Sequence, residues 1–250
     1  MQGKTVVVMG IANRWSIAYG IAQALVREGA SLILTYQAER VKKSVEDLAR
    51  DLGGASTHWC DVSQDESIAA FFSQFEGRTL DGVVHSIAFA NKEDIDRPFL
   101  VTSRAGFALA LDVSAYSLVA VARAAAPHMN AGGGIVTLSY LGATRVVPNY
   151  NVMGVAKAAL EASVRYLASE LGPRQIRVNA VSAGPIKTAS ARAIKDFSSI
   201  LDQVATRSPL RRVTDTAEVA DTALFLLSPL GRGVTGDVVF VDSGYHILGV

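Results

Sequence analysis

The chain has 250 residues, half of them hydrophobic, and its 24 Lys and Arg residues nearly balance 23 Asp and Glu residues. This length suffices for one large α/β domain with a full core. The balanced charge argues against a nucleic-acid-binding surface, which needs clustered basic charge. The single cysteine, Cys60, excludes an internal disulfide and a multi-cysteine metal site.

Two further classes are not expected from the sequence. The first residues lack the long apolar region and the small-residue cleavage site of a signal peptide. We find no run of about 18 apolar residues, so no membrane span is predicted. The sequence therefore predicts a cytoplasmic protein without integral membrane association.

Short apolar runs alternate with helical patterns along the chain. The pattern predicts strand 5–9, helix 17–28, strand 31–35, helix 38–51, strand 56–60, helix 65–75 and strand 82–87. It continues with helix 111–129, strand 134–139, helix 152–171, strand 176–182, helix 216–227 and strand 238–242. Strands that are apolar throughout belong in a parallel sheet covered on both faces. Strict alternation with helices predicts one α/β domain over residues 1–250, a doubly wound, Rossmann-like sheet.

The turn after the first strand is a candidate phosphate site. Gly10 suits a tight turn, and backbone N–H groups at the start of the next helix can bind a pyrophosphate. Ser16 is placed to cap that helix or to bind a phosphate, and Gly20 would allow close helix–strand packing. The spacing departs from G-x-G-x-x-G, so an ordinary turn with a capping serine is the alternative.

The ends of the second and third strands are candidate adenosine contacts. Gln37 is neutral there, which favours the free ribose hydroxyls of NAD over the 2′-phosphate of NADP. The basic residues at positions 40, 42 and 43 either reach a phosphate or form a solvated helix face. Asp61 and Val62 would bond the adenine amino group and pack its ring, unless Asp61 simply begins the next turn.

Tyr150 and Lys157 lie seven positions apart, and Tyr140 lies ten positions before Tyr150. On a helix this spacing is about two turns, or ~10 Å, so both side chains would project from one face. A nearby ammonium lowers the pKa of a phenol, which suits proton donation or oxyanion stabilisation. Two unrelated surface residues are the alternative.

Five segments together resemble one family: residues 10–20, 85–90, 139–142, 149–157 and 177–188. From about residue 3 onward, the chain resembles the bacterial NADH-dependent enoyl-acyl-carrier-protein reductases, a divergent branch of the short-chain dehydrogenase/reductase superfamily. The most specific feature is Tyr140-x9-Tyr150-x6-Lys157. Most of the superfamily has Tyr-x3-Lys, and Gly154 stands at that lysine position here.

The resemblance implies NADH-dependent reduction of the trans-2 double bond of enoyl-acyl-carrier-protein in fatty-acid elongation, by a homotetramer. Tyr150 would donate a hydrogen bond to the enolate oxygen and Lys157 would bind the nicotinamide ribose, without a metal. Tyr140 would relay a proton, position the substrate or gate the site. The implied cofactor site comprises Gly10, Ser16, Ile17, Gln37, Asp61, Val62, Ile87, Lys157, Ile186 and Thr188. The implied acyl pocket comprises Ala90, Tyr140, Tyr150, Met153, Ile194 and Phe197, the last two within a mobile segment of about 188–206.

The longer Tyr–Lys spacing has a chemical interpretation. Tyr-x3-Lys would place the phenol ~6 Å along the helix axis from the lysine, beside a carbonyl carbon that accepts hydride. One more turn suits an oxygen two bonds beyond that carbon, as in an enoyl thioester. A ketone or alcohol oxidoreductase of the same superfamily and a non-catalytic nucleotide-binding regulator remain alternatives. His85, within a predicted strand, is interpreted as structural.

Overall fold

A computed structural model describes residues 1–77, 79–188 and 197–249. Seven parallel strands form one sheet in the order β3-β2-β1-β4-β5-β6-β7. This confirms the predicted doubly wound α/β sheet. The strands are β1 (Thr5–Met9), β2 (Ser31–Tyr36), β3 (Ser56–Trp59), β4 (Leu80–His85), β5 (Met129–Ser139), β6 (Arg177–Ala183) and β7 (Val238–Val241).

Helices cover both faces of this sheet. They are α1 (Ile17–Arg27), α2 (Glu39–Asp51), α3 (Asp65–Ser73), α4 (Lys92–Asp96), α5 (Arg104–Leu111), α6 (Ser117–Ala125), α7 (Val152–Leu171), α8 (Phe197–Arg207) and α9 (Thr216–Leu227). Short 3-10 segments are Phe99–Val101, Ala126–His128, Leu141–Ala143, Gly172–Arg174, Pro229–Gly231 and Tyr245–Ile247.

Strand β1 shows why the sheet is covered on both sides. Val6 and Val8 are buried in one hydrophobic cluster, and Val7 and Met9 are buried in the other. Side chains alternate between the faces of a strand, so a strand that is apolar throughout needs a core on each side. Helices α1, α2 and α9 supply one core, and α3, α6 and α7 supply the other.

The single helix predicted over residues 111–129 is not observed as one continuous α-helix. Helix α5 ends at Leu111, a π-helical turn spans Asp112–Tyr116, and α6 follows. In this turn the hydroxyl of Ser114 accepts from the N–H of Phe89 at 2.9 Å and donates to its carbonyl at 3.0 Å. Such single turns often occur at functional sites, and this one attaches the loop after β4 to the helix.

Three observed helices were not predicted: α4, α8 and α5, which shares only Leu111 with the predicted helix 111–129. Helix α4 has five residues, three of them acidic, and is too short to show an apolar period. Helix α8 begins at Phe197, so residues 197–206 of the segment predicted to be mobile are helical. Residues 189–196, which include Ile194, lie outside the described residues. That the segment moves stays a prediction.

The stretch Arg104–His128 is long and apolar enough to cross a membrane by length and composition alone. This differs from the sequence-based expectation of no such run. More than half of its most apolar window is buried inside the protein. Leu118, Val121 and Ala125 of this stretch belong to the core beside the sheet. A helix in the core of a folded domain meets the same criteria of length and composition, and this stretch is buried as such a helix is.

Arg177, the first residue of β6, holds the end of helix α9. Its buried guanidinium donates to the carbonyls of Leu226, of Gly231 at 3.0 Å and of Ser228 at 3.5 Å. We expect Arg177→Leu to lower the free energy of unfolding by about 3 kcal/mol or more, because buried carbonyls would lose their donors. Urea denaturation would measure this change.

The matched control is Arg50→Leu, since the side chain of Arg50 is 72% exposed and pairs with its helical neighbour Asp47. Its effect should stay within about 0.5 kcal/mol. Equal effects of the two substitutions would show that Arg177 does not secure the end of α9.

Candidate active site

The candidate site lies at the carboxyl edge of the sheet, where the strand order reverses. Strand β1 pairs with β2 on one side and with β4 on the other. In open parallel sheets, ligands bind in the crevice at such a switch point. A Cβ built on Gly10, just after β1, would lie 2.0 Å from the carbonyl oxygen of Ser86, just after β4. Only glycine therefore permits this close approach.

A largely apolar cavity of about 360 Å³ opens at this edge. Its wall is formed by the first residue of α1, by the loops after β4, β5 and β6, by the turn before α7 and by the start of α8. The lining residues are Ile17, Ala88, Phe89, Ala90, Ile95, Ser139, Tyr140, Tyr150, Met153, Ala183, Gly184, Pro185, Ile186, Thr188 and Phe197. The cavity thus brings together eight of the predicted site residues: Ile17, Ala90, Tyr140, Tyr150, Met153, Ile186, Thr188 and Phe197.

The two tyrosines meet on one wall of this cavity. The rings of Tyr140 and Tyr150 pack edge to face, with centroids 4.8 Å apart. A Cβ on Gly142 would lie 2.4 Å from Cδ1 of Tyr150, and a Cβ on Gly154 would lie 2.8 Å from the carbonyl of Gly142. Both glycines are therefore needed for the close packing of the Tyr150 ring. This role of the two glycines was not predicted from the sequence.

Tyr150 does not lie on helix α7, so the helical-face argument for Tyr150 and Lys157 was wrong. The helix begins at Val152, and the residues on either side of Tyr150 have positive φ, 63° at Asn149 and 43° at Asn151. A right-handed helix cannot pass through such residues, and asparagine tolerates positive φ better than most. The helical rise therefore does not fix the separation of the phenol and the ammonium.

The expectation that Lys157 lowers the pKa of Tyr150 was also wrong for this structure. Burial raises the pKa of Tyr150, and the neighbouring Tyr140 raises it further. Burial likewise raises the pKa of Tyr140 to about 12, with smaller contributions from Tyr245 and Asp242. Both phenols are neutral O–H donors at pH 7, which is the state that an oxyanion-binding donor needs.

Lys157 lies on helix α7 and is 5% exposed. Its Nζ donates to the carbonyl of Leu138 at 2.7 Å. Burial lowers the pKa of Lys157 to about 8, and the negative charge of Glu161 partly opposes that shift. The ammonium is thus held at the end of β5, one strand away from the switch point.

Ser139 and Glu161 were missed by the sequence analysis. Ser139 lines the cavity, and its hydroxyl donates to Oε1 of Glu161 at 2.5 Å. Glu161 lies one helical turn after Lys157 and is buried, and burial raises the pKa of its carboxyl group. A lysine followed four positions later by an acidic residue on an otherwise apolar helix face was the available signal.

The first turn has the form of a capped helix. Ser16 is the N-cap of α1; its hydroxyl accepts from the N–H of Tyr19 at 3.3 Å and donates to the carbonyl of Asn13 at 2.7 Å. The first N–H groups of the helix remain available to an anion. Gly20 does not pack on a strand as expected: its nearest neighbour is Thr216 of α9, 2.4 Å from a Cβ built on Gly20.

The predicted adenosine contacts lie farther along the same edge, outside the cavity. Gln37 is exposed, and its carbonyl accepts from the indole of Trp59 at 2.9 Å. Asp61 accepts from the N–H of Ser63 at 3.0 Å and begins the turn into α3, as the simpler interpretation held. Val62 is buried in the core. Whether Gln37, Asp61 and Val62 contact a nucleotide stays a prediction.

The remaining singled-out residues have structural positions. His85 is fully buried between Thr137 at 3.0 Å and Ser117 at 2.8 Å, and burial lowers its pKa to about 3. Cys60 is buried, which raises its pKa to about 12. Ile87 lies in the loop after β4, near Gly10. Within residues 1–77, 79–188 and 197–249, no group of three or more His, Cys, Asp or Glu side chains could hold a metal ion.

Comparison with known proteins identifies the family to which this chain is similar. Residues 10–246 match the family model described as enoyl-(acyl carrier protein) reductase. An enoyl-[acyl-carrier-protein] reductase [NADH] of Bacillus cereus is 57% identical over 100% of this chain and 99% of its own length. An enoyl-[acyl-carrier-protein] reductase [NADPH] of Staphylococcus aureus is 50% identical over 99% of this chain and 98% of its own length.

A solved structure agrees with the fold. The crystal structure of the Bacillus cereus enoyl-acyl carrier protein reductase with NADP+ and indole naphthyridinone has a TM-score of 0.97 to this chain. Its sequence is 56% identical, and the match covers 100% of this chain and 98% of that one. The sheet and the cavity described above therefore belong to a fold already known to take a nicotinamide dinucleotide in that relative.

Proposed function

The chain belongs to the enoyl-acyl-carrier-protein reductase family, and we propose that it reduces the trans-2 double bond of enoyl-acyl-carrier-protein thioesters in fatty-acid elongation, with NADH as the hydride donor. The observation that supports this most directly is the pair of neutral phenols, Tyr140 and Tyr150, on the wall of an apolar cavity at the switch point. An apolar wall suits an acyl chain, and the phenols supply hydrogen-bond donors.

The residues at the switch point fit a nicotinamide dinucleotide. Gly10 has φ 90° and lets the turn approach the chain after β4, and α1 presents its N-terminus beside it. Ile17 and Ile186 line the cavity on the side of this turn. When bound, the nicotinamide supplies a hydride to the β-carbon of the substrate. The predicted cofactor contacts of Gln37, Asp61, Val62, Ile87 and Thr188 are part of this proposal.

The chain's own residues would handle the charge that develops. Hydride addition to the β-carbon places negative charge on the thioester oxygen, and the Tyr150 hydroxyl is the donor that we assign to it. A preorganised donor in a water-poor cavity stabilises such an oxyanion strongly. Lys157 adds positive charge beneath the site and would hold the ribose hydroxyls. Tyr140 packs on Tyr150, which supports a positioning role over gating or proton relay.

The partner and the assembly follow the same proposal. We propose a cytoplasmic homotetramer that receives its substrate on acyl carrier protein. An exposed groove between the π-helical turn, α5 and α7 supports association with further copies; it is lined by Ala108, Leu109, Leu111, Asp112, Ala115, Tyr116, Val119, Ala159 and Ser163. Exposed aromatic side chains are enriched at protein interfaces, and Tyr116 in this groove is one.

A spectrophotometric assay would test the activity. We expect loss of NADH absorbance with crotonyl-coenzyme A and none with acetoacetyl-coenzyme A, because the Tyr150 donor is assigned to a thioester enolate. The reverse result would make the chain a ketone reductase of the same superfamily. Oxidation with neither substrate would favour a nucleotide-binding regulator. Repeating the assay with NADPH would test the preference inferred from Gln37.

A further inference from the structure

Asn151 has a backbone conformation that asparagine rarely adopts. Its φ is 43° and its ψ is −123°, a combination that glycine adopts readily and other residues adopt at a cost. Tyr150 sits immediately before it, and Asn149, on the other side, also has positive φ. Strained backbone of this kind persists only where surrounding interactions hold it, and it concentrates at functional sites.

The side chain of Asn151 shows what holds this conformation. Asparagine is a favoured N-cap residue, yet Asn151 makes no side-chain bond to its own helix α7. Its Nδ2 instead donates to the carbonyls of Ile95 at 2.7 Å and Arg97 at 2.8 Å. Both partners can only accept, so the amide nitrogen must face them, and both of its hydrogens are used.

Those carbonyls belong to the end of helix α4. Ile95 itself lines the cavity together with Tyr150. The last carbonyls of a helix lack partners within it, and the Asn151 amide supplies two donors there. Asn151 therefore ties the turn that carries Tyr150 to helix α4, whose Ile95 lines the same cavity.

We propose that Asn151 is a positioning residue for the reaction: its amide clamps the Tyr150 turn to α4 and thereby fixes the Tyr150 hydroxyl where the thioester oxygen binds. This inference rests on the proposed function. Tyr150 precedes the helix, so the regular backbone of α7 does not determine its position. The hydrogen bonds from Asn151 to α4 fix this position instead, and the packing of the Tyr150 ring on Gly142 restrains it further.

Asn151→Gly would test the clamp. Glycine accepts the backbone conformation without strain, so the variant should fold with an unchanged or higher midpoint of thermal unfolding. We expect kcat with crotonyl-coenzyme A to fall about 10- to 100-fold, because small misplacements of a catalytic group have effects of this size. KM for NADH should not change. Asn151→Asp keeps the side-chain size, cannot donate to the two carbonyls, and should be similarly slow.

The matched control is Gln175→Gly. Gln175 also has positive φ, 59°, but it is exposed and lies before β6, at the opposite end of the strand from the site. It should retain wild-type kcat. If kcat falls equally in this control and in Asn151→Gly, both effects come from a more flexible backbone. That result would overturn the clamp.

A double variant distinguishes positioning from general stability. If Asn151 acts through the Tyr150 hydroxyl, Asn151→Gly should have little further effect in a Tyr150→Phe background. Additive losses would overturn the proposal, as would wild-type kcat in Asn151→Gly. If Tyr150→Phe is slow while Asn151→Gly is normal, only the clamp fails. If Tyr150→Phe itself keeps full rate, the catalytic assignment fails, and the clamp fails with it.

Discussion

Replacing Tyr150 by phenylalanine should lower turnover of crotonyl-coenzyme A by about 100- to 1,000-fold, the usual effect of removing one oxyanion donor. The affinity for NADH should be nearly unchanged, because the hydroxyl is assigned to the substrate oxygen. The Phe ring keeps the contacts with Gly142 and Tyr140, so the fold and the cavity should be intact. Stopped-flow reduction and NADH fluorescence titration would measure the two quantities.

Tyr166→Phe is a suitable control, because it removes the same hydroxyl from a side chain on α7 that is 76% exposed and does not line the cavity. This variant should keep wild-type turnover. Loss of NADH binding in Tyr150→Phe would move Tyr150 to the cofactor, and full turnover would end its assignment as the donor. Tyr140→Phe in the same series would separate the roles of the two phenols.

Replacing Lys157 by methionine should stabilise the nucleotide-free protein and weaken its binding of NADH at pH 7. The pKa of the buried ammonium is lowered to about 8, mainly by burial, from 10.5. At pH 7 the folded state therefore carries a charge that it holds less favourably than the unfolded state does. Removing this charge should raise the free energy of unfolding by about 3 kcal/mol, the energy equivalent of the pKa shift. Loss of the hydrogen bond to Leu138 should offset about 1 kcal/mol of that gain.

The sign of the pH dependence follows from the same shift. Between pH 8 and 10.5 the unfolded chain binds more protons at this lysine than the folded chain does, so this group's contribution to stability rises with pH there. Lys157→Met should remove that rise. Thermal unfolding between pH 7 and 10, with and without saturating NADH, would measure both effects.

NADH should raise the unfolding temperature of the wild type by mass action and should raise that of Lys157→Met much less. Lys92→Met serves as the control, since the side chain of Lys92 is 80% exposed on α4. An equal NADH-induced shift in Lys157→Met and the wild type would remove Lys157 from the cofactor site. A lower stability of Lys157→Met at pH 7 would contradict the stated cost of the buried charge.

Local sequence patterns predicted the main helices and strands of the sheet. Helix α7 was predicted at its observed bounds, Val152–Leu171, because a long amphipathic run ends at Gly172 and Pro173. Strand β1 was predicted at Thr5–Met9 because four successive valine and methionine side chains can only be buried on two faces. Helix α4 was missed, since five mostly charged residues carry no period.

The candidate catalytic residues of the site were predicted from the sequence, but their geometry was not. The identity of Tyr140, Tyr150 and Lys157 came from motif and resemblance, and in the structure the two tyrosines pack together in the cavity wall. Their geometry could not be inferred from spacing. We assumed that the helix includes Tyr150, whereas α7 begins only at Val152, and the asparagines on either side of Tyr150 have positive φ. We also expected the Lys157 ammonium to dominate the pKa of Tyr150, whereas burial of the phenol dominates it.

The sequence by itself determined the α/β alternation, the residues able to donate protons and charge, and the family to which they belong. These depend on periodicity and residue type, which are local properties of the chain. Tertiary structure alone decided that Asn151 reaches α4, that Ser139 bonds Glu161 and that Arg177 holds the end of α9. Such contacts join residues 22 to 56 positions apart. They form because a buried polar group must find a partner wherever folding brings one within reach.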